Sequence, residues 1–261
     1  MKKIALLLCA VLVMSAMLFG CGRGNDAEPV SSAASDAEGS SEATTMPTTP
    51  EEIVAHNVKI DESEITLVQF NTPAAGTKTA TIKTSMGDIK MVLFPDEAPK
   101  AVENFLALAE KGYYNGMSFY EVLPSIRIAT GDPDANGSGG ESADGELFKD
   151  EYSLNLWHFN GAVAMDNGGV PDANGSRFYI VQNSSITNEL AEEMLDGGFP
   201  EKVVDKYLKA GGVPNYDFKD TVFGQVIEGK DVVEKIAAVA RDEQNKPSED
   251  VTITSIEIGT V

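Results

Sequence analysis

The stretch that most constrains this chain is residues 118–133, SFYEVLPSIRIATGDP. Two short runs rich in aromatic and branched residues flank Pro124 and Ser125, and Gly131, Asp132 and Pro133 stop the second. Runs of that length and composition, bounded by turn residues, read as β-strands. The first carries Glu121 and the second Arg127, charges inside segments that otherwise look buried. They are six residues apart, an even number, so strands running through the turn can aim both at one face. A charge taken out of water needs a partner or a task. This pair is the first candidate for a site.

The chain has 261 residues and a formal net charge of −21. Such acidity favours solubility and argues against nucleic acid or anionic headgroups as partners. Two histidines and scattered acids form no ligand cluster, so no metal is expected.

Met1, Lys2 and Lys3 followed by the apolar run 4–19 make a secretory-leader pattern. At about 16 residues the run is short of the roughly 20 that a spanning helix needs. It ends in Leu18, Phe19, Gly20 and Cys21, which resembles the bacterial lipobox, where cleavage precedes a cysteine that is then acylated. Residues 1–20 are thus expected to be the leader and Cys21 the lipidation site. Cys9 leaves with the leader, so no internal disulfide can form. The expected location is the outer face of a bacterial cell membrane, touched through the lipid anchor alone. Residues 21–55 are mostly small, acidic and polar, the composition of a disordered tether. Residues 56–77 are intermediate, with a possible short strand over the branched run 65–70.

From residue 78 the pattern becomes that of a folded domain. Strands are expected over 79–84 and 88–94. A helix then opens near Pro99, with Val102, Phe105, Leu106 and Ala109 on one stripe and Gly112 at its end. The glycine-rich loop 136–142 lacks the lysine and following helix of a phosphate-binding loop. More strand material falls at 161–165, 176–180 and 221–226. Between 186 and 213 the period lengthens, and Leu190, Met194, Val203, Val204 and Leu208 predict two short helices broken at 197–200. Val233, Ile236 and Ala237 mark a last helix over 230–239. In the final strand, 251–258, parity slips between Ile253 and Ile256, the sign of a bulge. Many short strands with few helices predict a mainly β barrel or sandwich. A substrate-binding lipoprotein of a transporter would need two α/β lobes, and the required alternation is missing.

Taken together, the blocks Gly87-Asp88-Ile89, APKAVENF at 98–105, GYYNG at 112–116, Phe119 with Pro124 and Gly131-Asp132-Pro133, GGES at 139–142, Met165, Asn174-Gly175-Ser176 with Phe178, Val222-Phe223-Gly224 and Val232-Val233 resemble the cyclophilin-type peptidyl-prolyl cis-trans isomerases. The resemblance spans about 80–258. It implies an eight-stranded antiparallel barrel capped by two helices, within a domain 78–261 that carries 186–213 as a helical insertion. It also implies a reaction, rotation about X-Pro bonds in segments of exported proteins, whose uncatalysed barrier is about 18–20 kcal/mol. No cofactor is implied, and a monomer is expected. In the family an arginine engages the amide nitrogen, Phe, Met and Leu line a proline pocket, and Gln, Asn, Trp and His hold the substrate.

This chain departs from that pattern. The arginine position is Glu121, and the pocket Phe and Met positions are Ile126 and Arg127. The glutamine falls on Ala129, the second pocket Phe on Tyr179, the Trp and Leu on Asn215 and Tyr216, and the His on Asp220. Asn167 keeps the asparagine, with Met165 and Asp166 beside it. Arg127, oriented by Glu121, and Arg177 are the catalytic candidates. Ile126, Ala129, Met165, Asp166, Asn167, Tyr179, Asn215, Tyr216 and Asp220 are the expected substrate-binding set. Phe178 and His158 read as structural, and Trp157 is not the family's pocket tryptophan. The alternative is a module that binds peptides or proteins without isomerising them, with Glu121 and Arg127 as a satisfied ion pair.

Overall fold

A computed structural model describes residues 49–261 of the chain. The expected leader, the expected lipidation site Cys21 and most of the expected tether lie outside the described residues.

Alternating short apolar runs fold here as one antiparallel sheet of eight strands: β1 (Lys78–Thr84), β2 (Gly87–Leu93), β3 (Glu121–Leu123), β4 (Arg127–Thr130), β5 (Ala162–Met165), β6 (Phe178–Val181), β7 (Val222–Glu228) and β8 (Ile253–Thr260). Their order is β3-β4-β6-β5-β7-β2-β1-β8. The sheet curls so that the approaches to its two edge strands meet: Gly116 N–H donates to Ile253 O, and Phe119 N–H to Val251 O. This is the barrel architecture expected. The expected bulge lies in β8, where Lys83 pairs with Ser255 and Thr84 with Ile253, leaving Thr254 as the extra residue.

Two helices close the barrel, α2 (Pro99–Glu110) and α5 (Lys230–Ala237). α2 lacks a side-chain cap of its own. Instead Glu151 accepts from Lys100 N–H at 3.1 Å and Ala101 N–H at 3.0 Å, which satisfies two orphan donors. Its buried stripe includes Leu108, while Leu106 is only half-buried. The core contains Ile82, Ile89, Met91, Phe105, Val122, Ile128, Phe178, Ile180, Phe223 and Ile236. Gly131 in the TGDP turn adopts φ +85°, and a Cβ there would lie 2.5 Å from Ser176 O. Only glycine fits.

The segment before the barrel differs from expectation. Residues 50–55, placed in the tether, join 56 and 57 in helix α1 (Pro50–Asn57), where Thr49 and Glu52 make a reciprocal capping box. The run 65–70 is not a strand: one 3-10 turn, Glu62–Glu64, precedes it, another, Val68–Phe70, ends it, and Ile65 is buried between them. The insertion does form two helices, α3 (Asn188–Asp196) and α4 (Glu201–Ala210). Within α4, Leu208, expected on the buried stripe, is exposed, and Tyr207 is buried in its place. The two additions join each other. Ile65, Trp157, Phe159, Met194, Val203 and Tyr207 form a second core. Lys202 Nζ donates to Ile65 O at 2.5 Å, and Asn57 Nδ2 to Gly197 O at 2.9 Å.

Candidate active site

Strand register builds the site. Glu121 pairs with Ala129, Ala129 with Tyr179, and Tyr179 with Ala164. Alternation therefore puts Glu121, Arg127, Ala129 and Tyr179 on one face, opposite the core. On that face Arg127 meets Glu121 twice, with Nε and Nη2 both 2.8 Å from Oε2. The guanidinium carbon lies 4.9 Å from the centre of the Tyr179 ring and 5.6 Å from that of Tyr216. Asp166 Oδ2 stands 3.9 Å from Nη2. A planar, weakly hydrated cation suits this stacking better than an ammonium. Burial works against the Arg127 charge, but the carboxylates of Asp166 and Glu121 outweigh it and hold the group above its ordinary range.

The surrounding groups are fixed in turn. Asp166 accepts from the Tyr120 hydroxyl and from Gly168 N–H at 3.0 Å. The Tyr179 hydroxyl donates to Asp220 Oδ2 at 2.8 Å. Burial raises the Asp220 carboxyl, opposed by His158 and by the Tyr179 hydrogen bond. Burial likewise raises the Tyr179 phenol, and the neighbouring Asp220 charge adds to it. Behind Tyr179, His158 stacks at 6.1 Å and its Nδ1 lies 2.9 Å from Asp217, which also accepts from the Tyr207 hydroxyl. His158 is buried and structural.

The structure thus gathers Glu121, Arg127, Ala129, Asp166, Tyr179, Tyr216 and Asp220. Several expectations need correction. Met165 is in the barrel core opposite Phe178, because parity turns it inward, so it has no surface for a substrate. Ala129 and Tyr179 are wholly buried, and Tyr179 is covered by Arg127 instead of standing open. The Asn167 side chain is occupied, donating to Lys219 O at 2.9 Å and accepting from Gly169 N–H at 2.8 Å. Asn215 turns away, lining a cleft of about 220 Å³ with Ile53, Leu190, Met194 and Phe218. Ile126 is half-buried in the turn between β3 and β4, where its carbonyl accepts from Gln182 N–H. Arg177 flanks the site beside Gly168.

Sequence reasoning missed Tyr120 and Asp132. Asp132 takes backbone N–H bonds from Asp134, Asn136, Gly137, Ser138 and Gly139, and so shapes the glycine-rich loop. An aspartate before a run of small residues is a turn signal that could have found it. Tyr120 had none, since parity alone points it away from Glu121.

A curled eight-stranded antiparallel sheet, capped by two helices and bearing an arginine beside buried aromatics, defines a cyclophilin-like barrel. The model of the family "Cyclophilin type peptidyl-prolyl cis-trans isomerase/CLD" matches residues 79–258. A Staphylococcus saprophyticus protein with the provisional name peptidyl-prolyl cis-trans isomerase is 47% identical over 191 residues, 73% of this chain and 96% of that protein. A Staphylococcus aureus protein of the same name is 46% identical over 175 residues, 67% of this chain and 88% of its own. The crystal structure of a Cryptosporidium parvum cyclophilin type peptidyl-prolyl cis-trans isomerase superposes with TM-score 0.58 at 28% identity, covering 71% of this chain and 99% of that one. This chain belongs to the cyclophilin-type peptidyl-prolyl cis-trans isomerase family.

Proposed function

We propose that this protein is a peptidyl-prolyl isomerase that assists the folding of exported proteins at the cell surface, tethered through Cys21, with Arg127 as the donor to the substrate. One observation carries the reading: the Arg127 guanidinium is oriented by Glu121 and held over Tyr179 and near Tyr216. Arginine has five donors, and the contacts to Glu121 leave others free. Rotation about X-Pro needs no nucleophile. The barrier is amide resonance, and it falls when a preorganised donor engages the nitrogen lone pair in a dry site. Arg127, 16% exposed in its side chain, and the half-buried Tyr216 offer that donor and an apolar surface for the proline ring.

A second reading has its own support. Because Arg127 covers Tyr179 and is neutralised by Glu121, the same face could hold a peptide without twisting it. A protease-coupled assay on Ala-Pro and Gly-Pro peptides separates the two. Acceleration above buffer supports the isomerase; tight peptide binding at the background rate supports the binding module. Tethering is tested separately: Cys21→Ser moves the protein from the membrane fraction to the soluble one, and an unchanged distribution rejects the anchor.

A further inference from the structure

The sequence holds 41 acidic and 20 basic residues, yet one half-buried arginine beside the site is unpaired. Among the described residues, the Arg177 guanidinium donates no hydrogen bond and has no carboxylate within 4.0 Å. Arg127, in contrast, is ion-paired with Glu121 through Nε and Nη2. Asp166, at the same end of the site, already accepts from Tyr120 and Gly168.

The chain makes room for this side chain. Gly168 has φ +68°, and a Cβ there would lie 2.8 Å from Arg177 Nη2. Gly140 has φ +99°, and a Cβ there would stand 3.6 Å from Arg177 Cγ and 2.3 Å from Ser176 Oγ. One loop therefore meets the Arg177 stem and the other its guanidinium, each with glycine at the contact, and neither supplies the head with a hydrogen-bond partner.

We propose that Arg177 is a carboxylate-binding subsite that selects substrates with an acidic side chain about two residues from the proline. The proposal rests on the reading that the X-Pro bond is held at Arg127 over Tyr179. Arg177 and Tyr179 are two positions apart and point to the same face, so they lie ~7 Å apart along the strand direction. An extended peptide advances about 3.4 Å per residue, so two residues cover that gap. A guanidinium pairs with a carboxylate through two parallel N–H···O bonds, which an amide cannot reproduce. In a protein this acidic, an acidic substrate is otherwise disfavoured, so discrimination falls to the local cation.

The test uses the full chain and a peptide series in which Glu, Gln or Lys occupies each of the positions flanking a single proline. The native protein should prefer Glu over Gln at one position by about tenfold in kcat/KM, or about 1.4 kcal/mol. That preference should shrink as salt rises. Arg177→Lys should retain part of it, Arg177→Gln should abolish it, and Arg177→Glu should turn it into a preference for Lys. Equal rates at every position with the native protein, or a preference unmoved in the folded Arg177→Gln variant, overturns the proposal. If the native protein isomerises nothing, the same ratios are read from peptide dissociation constants. A Glu preference that follows Arg177 then upholds the subsite while rejecting the isomerase, and equal affinities reject the subsite.

Discussion

The strands β3, β4, β6 and β5 have two faces built on different rules. The inner one carries Val122, Ile128, Ile180, Val163, Met165 and Phe178, all apolar and essentially inaccessible. The outer one carries Glu121, Arg127 and Tyr179 on the strands, with Asp166, Tyr216 and Asp220 on the adjoining loops. One residue of parity separates them, since a shift by one exchanges every side chain between faces. The inner face makes the barrel, and the outer face carries the polar and charged groups from which the proposed activity is argued. A fold does not by itself set the chemistry placed on it.

The comparison predicts where substitutions act. The largest loss of stability belongs to the inner face. Phe178→Ala should cost about 3–5 kcal/mol in denaturant unfolding, because Phe178 is wholly buried against Phe105 and Tyr114. A cost below about 1 kcal/mol would mean that the core is not organised as described. Asp132→Ala comes next, at about 2–3 kcal/mol, since it leaves clustered loop N–H groups without their acceptor. Burial works against the Asp132 charge, but the backbone bonds from Asp134, Asn136, Gly139 and Gly137 outweigh it and hold the carboxyl below its usual range. Its contribution is thus present above the unfolded value, about 3.9, and is lost as pH falls through the lower folded value. A pH-unfolding series on both proteins checks this, and an unchanged acid limb rejects it.

On the outer face Glu121→Gln should cost less, about 1–2 kcal/mol, because the pair is partly solvated and Asp166 still faces Arg127. Its larger effect should be on peptide turnover, by loosening Arg127. Equal turnover would mean that Glu121 does not position Arg127. The smallest effect is expected at Asp220. Its carboxyl is raised by burial, so its favourable contribution is present below about 3.9 and is lost as pH rises through the folded value. Asp220→Asn, which can still accept from Tyr179, should raise stability at neutral pH by less than about 1 kcal/mol. Thermal unfolding at acid and neutral pH reads the sign, and destabilisation at neutral pH contradicts it.

The inner face was largely legible in the sequence. Alternation in β2, the stripe on α2 and the parity slip at Thr254 each follow from local periodicity, which burial enforces. Even parity from Glu121 to Arg127 likewise foretold their pairing. What the chain did not reveal depends on contacts distant in sequence. Ile65 looked like strand because branched residues favour extended backbone, yet Trp157 and Val203 draw it into a second core. The resemblance points to Met165 as a substrate contact, whereas strand parity turns it inward. The free state of Arg177 depends on acids that other loops spend elsewhere, and no sequence window records that.

The most direct test of the account is the isomerisation rate of Arg127→Ala beside the native protein, measured by magnetisation exchange on one proline peptide. A preorganised electrostatic donor is worth about 10²–10³ in rate, so the variant should lose about a hundredfold or more while remaining folded. A variant that turns over peptide as fast as the native protein would contradict Arg127 as the donor.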